Sequence, residues 1–277
     1  MALLALCRFA PPTHCGIVHH DMPAALPVAL ARDTIVECVF EVRFKDPHAG
    51  IADLLPGIVF GKTPDRFKNV TTLPLGQIPR IVREQNAGLN AQFKYMPTTM
   101  LDGSQARMLF GDYSVAVAFL KPYAGWAKVK PMILECINTA LESKLTGTPE
   151  RYGLKYVNIL KEGRDAFDLD QTRVRIELGD FQPSATGAVA VHAEIDMNGC
   201  TAIIDVATNG KVTLPGQVAE TGVVIAVDTF CAAAGLDART ELPNVLETLH
   251  ETEKTVFFGL MNESTLQKLG PRYPTTH

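Results

Sequence analysis

Six side chains in this sequence, in three separated stretches of the chain, have the chemistry to bind something: Lys121, Tyr123, Trp126, Tyr156, Asn158 and His250. Lys121-Pro122-Tyr123 followed by Trp126 combines a cation with two aromatic rings at a strand-to-helix turn. Such rings stack on a base, a small ring or a partner's side chain. The plainer role for Trp126 is to staple a helix onto a sheet. Asn158 interrupts a face shared by Tyr152, Leu154, Tyr156 and Leu160. A buried amide without partners costs about 1–3 kcal/mol, so Asn158 belongs either in a buried network or on a pocket wall. His250-Glu251 has the residue types of an acid–base couple. Neighbours on a helix point ~100° apart, however, so the two do not form a dyad. His250 reads as a histidine at the edge of an apolar helical stripe.

Other constellations point away from common catalytic classes. Glu37 and Glu41 share one face of a strand about 13 Å apart at ~3.3 Å per residue. Glycoside hydrolysis needs carboxylates roughly 5–9.5 Å apart, so this pair is expected on a solvated or ion-paired sheet face with Arg43. The sequence contains neither G-x-x-x-x-G-K-[ST] nor G-x-G-x-x-G, and neither G-x-S-x-G nor H-E-x-x-H. His14, Cys15, His19 and His20 near the start match no zinc-site spacing. The sequence therefore predicts no metal and no cofactor, and the reading leans away from an enzyme.

Composition bounds the class. The chain has 277 residues, 47% of them apolar and 20% charged, with a net charge of −4. That length and apolar content support a substantial core. A slight acidic excess argues against a protein that coats nucleic acid, which needs cations to neutralise phosphates. None of the six cysteines forms a C-x-x-C pair. Cys38 and Cys136 sit among apolar neighbours, as small hydrophobes do in a reducing, cytoplasmic setting. No apolar run reaches the ~18 residues of a membrane span.

The elements that must position these residues follow from periodicity. Ile35 to Phe44 alternates strictly, the pattern of a strand with one buried and one wet face, and so of an antiparallel sheet. Residues 46–68 suit a short broken helix, and residues 70–88 a loop. Further strands are expected at Leu89–Met96, Gln105–Phe110, Tyr113–Leu120, Arg151–Leu160, Thr172–Leu178, Ala188–Met197, Cys200–Ala207 and Val223–Phe230. Asn198-Gly199 is a strong hairpin signal, and Asn209-Gly210 marks a second turn. Apolar stripes predict helices over Gly125–Lys144 and Leu242–Met261, with Pro131 giving the first a tight first turn or a kink near Lys128 and Ser264 capping a last short helix. The fold class is α+β: two antiparallel-sheet-plus-long-helix units, residues 22–148 and 149–277, either separate or joined as one continuous curved sheet. Residues 1–21 read as a disordered extension, with Met22 as the natural start.

Four segments carry a resemblance. LPVALARDTIVECVFEVRF, Leu120-Lys121-Pro122-Tyr123-Ala124-Gly125-Trp126, Arg151-Tyr152-Gly153-Leu154-Lys155-Tyr156-Val157-Asn158 and the closing Leu249-His250-Glu251 with Val256-Phe257-Phe258 occur in this order. Together they resemble a sporadically distributed prokaryotic family of unknown function. Thr34 departs from that family's usual proline, and residues 1–21 have no counterpart in it. Patchy distribution of that kind implies an accessory, sensor or antitoxin-like component of a mobile defence locus. The expectation is a cytoplasmic interaction protein with a protein partner and an exposed apolar–aromatic patch. The alternative is an enzyme or small-molecule binder with a cleft between the two units, lined by Tyr156, Asn158 and His250. An RNA-binding module is a third reading, disfavoured by the charge.

Overall fold

A computed structural model describes residues 25–85, 88, 93–161, 169–181, 188–214, 218–235 and 237–274. The expected extension over residues 1–21 and the start at Met22 lie outside the described residues. Nine strands form one antiparallel sheet: β2 (Ile35–Lys45), β3 (Phe67–Thr72), β4 (Pro97–Gly103), β5 (Arg107–Gly111), β6 (Ser114–Leu120), β7 (Thr148–Leu160), β8 (Ala190–Met197), β9 (Cys200–Val212) and β10 (Glu220–Ala232). Their order is β3-β4-β5-β6-β2-β7-β10-β9-β8. Two short strands, β1 (Ala29–Leu30) and β11 (Pro271–Arg272), pair separately. The fold is α+β as expected, and the two units are halves of a single sheet. The β2–β7 ladder, from Ile35 opposite Asn158 to Lys45 opposite Thr148, joins them.

One face of the sheet is dry. On β2, Val36, Cys38, Phe40, Val42 and Phe44 are at most 1% exposed, which is the alternation seen in the sequence. Helices α1 (Ile51–Lys62), α3 (Trp126–Leu141) and α4 (Ala238–Leu260) cover this face, while α2 (Arg80–Gln85) and α5 (Glu263–Leu269) are short. The covering helices add Ile51, Leu55, Ile133, Ile137, Leu246 and Leu249 to one cluster with Phe40 and Tyr152. The Phe40 and Tyr152 rings lie nearly parallel across the seam, 6.4 Å apart. The opposite face keeps its charges. Arg43 Nε donates to Glu41 Oε2 at 2.7 Å, as expected, and Arg151 lies 3.9 Å from Asp228. Burial pushes the Glu41 carboxyl up from its ordinary value, and the Arg43 charge opposes that shift.

Several local expectations need correction. The strand expected over Leu89–Met96 falls partly outside the described residues. Its described end is helix and turn, and the strand begins at Pro97. There Tyr95 and Ser114 are tied by a hydrogen bond to the Tyr95 carbonyl, which closes the hairpin from outside. No strand forms over Thr172–Leu178. Thr172 makes one isolated bridge to Met261 instead. The loop expected over 70–88 holds the end of β3 and all of α2. Asn209-Gly210 does not turn the chain: β9 runs through it, with Asn209 at φ 51° and a register shift opposite Gly222–Val224. Asn198-Gly199 does make the expected hairpin, with both residues at positive φ. Helix α5 is capped by Asn262, which accepts from the Thr265 N–H, and not by Ser264.

Phe40 is fully buried at the seam, so Phe40→Ala is expected to cost about 3–5 kcal/mol. Because the halves share one sheet, urea unfolding followed by far-ultraviolet circular dichroism and by tryptophan fluorescence is expected to give coincident transitions. Two separated transitions would mean that the halves fold independently.

Candidate functional site

The two halves leave a gap where their helices meet above β7. A cavity of about 200 Å³ lies there, bounded by the start of α3, the middle of α4, β7 and the chain before β2. Its walls are largely apolar: Leu30, Ile35, Trp126, Phe257 and Phe258. An apolar cavity of about 150 Å³ holds one benzene ring, so this space suits a molecule of roughly one ring.

Each wall has a local cause. The chain from Pro27 to Ile35 crosses the cavity as a strap. Val28 N donates to Arg272 O at 2.7 Å and Ala31 N donates to Gly270 O at 2.9 Å. Asp33 ties the strap to the β6–α3 turn, its carboxylate accepting from the backbone N–H groups of Ile35 and Tyr123. Gly125, at φ 88°, turns the chain into α3 and points Trp126 toward α4. The alternation of β7 directs Tyr156 and Asn158 to the dry face, where each is 2% exposed.

Five of the six sequence candidates meet here. The Tyr123 and Tyr156 hydroxyls are hydrogen-bonded at 2.8 Å. Tyr156 Oη lies 3.4 Å from His250 Nδ1, a long contact. The Trp126 indole stacks on the His250 ring at 4.0 Å with 13° between planes, and its Nε1 donates to Glu247 Oε2 at 3.1 Å. Trp126 therefore staples α3 to α4, helix to helix. Asn158 is held by Thr34, whose Oγ1 donates to its Oδ1 at 2.9 Å, and it also lines the cavity. Lys121 stands apart. It lies 3.6 Å from Glu220 and borders a separate groove on the outer side of the β6–α3 turn.

The sequence reading missed Glu253. It is 5% exposed, lines the cavity, and has no hydrogen-bond partner among the described residues. The signal was available: the buried stripe Leu242, Leu246, Leu249, Val256 passes through position 253, where an apolar residue belongs. Burial pushes the Glu253 carboxyl up to about 8, with the Lys254 charge opposing. Burial also lowers His250 to about 4, helped by the Lys254 charge. Burial raises the Tyr123 and Tyr156 hydroxyls well above the phenol range. At neutral pH the polar floor of the cavity is therefore uncharged and carries both donors and acceptors. No cluster of three or more His, Cys, Asp or Glu able to hold a metal occurs among the described residues. The chain matches no protein-family model and no curated protein.

The two shifted groups act on stability in opposite directions. Glu253, raised in the fold from an ordinary 4.5, contributes stability that is complete below pH 4.5 and is lost as the pH rises toward and through 8. His250, lowered from 6.5, contributes stability that is lost as the pH falls from 6.5 through about 4. Glu253→Gln keeps the neutral form at every pH and leaves the histidine effect in place. We expect the variant to melt roughly 10 °C above the wild type at pH 9 and at nearly the same temperature at pH 5. A difference that does not change with pH would remove Glu253 from the group of buried, uncharged carboxyls.

Proposed function

We propose that this protein binds a small, mainly apolar molecule of about one ring's size in the cavity at the β2–β7 seam. The observation that carries this reading is convergence. Tyr123, Trp126, Tyr156, Asn158, His250 and Glu253 come from three segments separated by up to 130 residues and line one cavity. Concave apolar sites with a few convergent polar groups are the usual form of small-molecule sites. The polar floor orients one end of the ligand, and the strap from Pro27 to Ile35 shields the other.

This reading is preferred to the interaction protein expected from a complete core pattern without convergent catalytic groups. Tyr123 and Trp126 face the cavity, so they do not supply the exposed aromatic patch which that expectation needs. Tyr156 and His250 do not form an acid–base couple: their contact is long, and neither is poised to exchange a proton near neutral pH. A reducing cytoplasmic setting is supported by Cys38 and Cys136, both fully buried as small apolar side chains of the core. No helix among the described residues is long and apolar enough to cross a membrane.

Trp126 is the one tryptophan in the sequence and lines the cavity, which makes its emission a direct reporter of occupancy. A fragment screen of single-ring compounds is expected to yield saturable changes in that emission. Tyr156→Phe, which removes one floor hydroxyl, is expected to weaken polar-ended fragments about tenfold and purely apolar ones little. A screen in which no fragment shifts the emission or the melting temperature would overturn the proposal.

A further inference from the structure

Among the carboxylates and lysines that line the cavity, Glu253 alone is buried. Tyr123 and Tyr156 bond to each other, Asn158 is held by Thr34, and Trp126 is held by Glu247. Glu253 is buried against the same space with no hydrogen-bond partner among the described residues. A buried carboxyl of this kind is costly unless something supplies donors or a positive charge. We propose that the ligand is a protonated amine, its ammonium group set against the Glu253 carboxylate and its apolar body against Ile35, Phe257 and Phe258.

This inference rests on the small-molecule reading and narrows it by charge. The walls fit a cation. The rings of Tyr123, Tyr156, Phe257 and Phe258 border the same space, and aromatic faces attract positive charge. An anion gains no counter-charge from Glu253, which can only turn negative. A neutral alcohol bonds to the protonated carboxyl without drawing charge from it, whereas an ammonium ion turns that carboxyl into its counter-ion. Lys254 is the one cation among the described lining residues. It follows Glu253 directly on α4 and its charge acts on the carboxyl, but no hydrogen bond or ion pair joins the two side chains among the described residues.

The groups facing Glu253 leave it free to respond. Cys38 on β2, Tyr156 on β7 and Tyr123 on the β6–α3 turn hold their protons, because burial raises all three. His250 on α4 is neutral near pH 7. On the strap, Asp33 already accepts two backbone hydrogen bonds. When an ammonium ion enters below pH 8, Glu253 gives its proton to solvent and the ion pair forms. Binding one amine therefore releases up to one proton.

The test uses the full chain and three probes of matched size: benzylamine, benzyl alcohol and benzoate. Affinities come from calorimetry at pH 7 in two buffers of different ionisation enthalpy, with Trp126 emission as a second readout. We expect benzylamine to bind about tenfold or more tighter than benzyl alcohol, benzoate to bind least, and benzylamine alone to release a proton. Glu253→Gln should abolish the preference for the amine and leave benzyl alcohol within about threefold, which also shows that the variant is folded. The wild-type proton release tests the idea independently of any variant. Benzyl alcohol binding as tightly as benzylamine, or an amine affinity unchanged in Glu253→Gln, would overturn the charge assignment and leave the cavity as a small-molecule site. Failure of all three probes to bind would overturn the assignment too. If the wider fragment screen also left Trp126 emission unchanged, the small-molecule reading would fall with it.

Discussion

The ladder between β2 and β7 is the interaction on which the rest of this molecule depends. It joins residues 35–45 to residues 148–158, so a strand from each half lies at the centre of one sheet. Such distant pairing is entropically costly to form, and the dry face makes up for it by burying Phe40, Tyr152 and Leu154 together at the seam. One consequence is positional. Helix α3 belongs to the first half and α4 to the second, and both must cover the same seam. They meet through the Trp126–His250 stack, and the cavity lies beside that meeting point.

The two faces of the sheet treat charge differently. On the open face, burial raises Glu41, but Arg43 is within hydrogen-bond distance and solvent is near. On the dry face, Glu253 has burial without a protein counter-charge in hydrogen-bond contact. A carboxyl in that setting stays neutral until something compensates it. It weakens the core by interrupting an apolar stripe, and an apolar residue at position 253 would pack without that cost. The tyrosine pair, the neutral histidine and the amide of Asn158 share the site, so the cavity floor is polar without being charged.

Much of the architecture was legible in the sequence because it depends on periodicity. The strict alternation of Ile35–Phe44 gave one dry and one wet face, and the stripes of α3 and α4 gave two covering helices. What failed depended on context. Residues 97–103 pair as a strand although their own pattern is weak, because β5 and β3 flank them. Asn209-Gly210 has turn chemistry, yet the neighbouring strand continues past it and absorbs the distortion as a shift in register. The site was half legible. Tyr156, Asn158 and His250 were grouped by residue type, and only the β2–β7 ladder shows why β7 and α4 face each other at that level. Glu253 was hidden because attention to exposed charge passes over a charge at an apolar position. Lys121 was misplaced because its neighbour Tyr123 turns inward while Lys121 reaches out to Glu220.

The central claim is that a buried carboxyl lies uncharged in an apolar-walled cavity at the seam of the sheet. The most direct measurement is the carbon-13 resonance of the Glu253 carboxyl in glutamate-labelled protein, assigned by its absence from the Glu253→Gln spectrum and followed with pH. The account predicts a protonated carboxyl at pH 6 that titrates near pH 8. A resonance already ionised at pH 6, titrating with the exposed glutamates near 4.5, would contradict it.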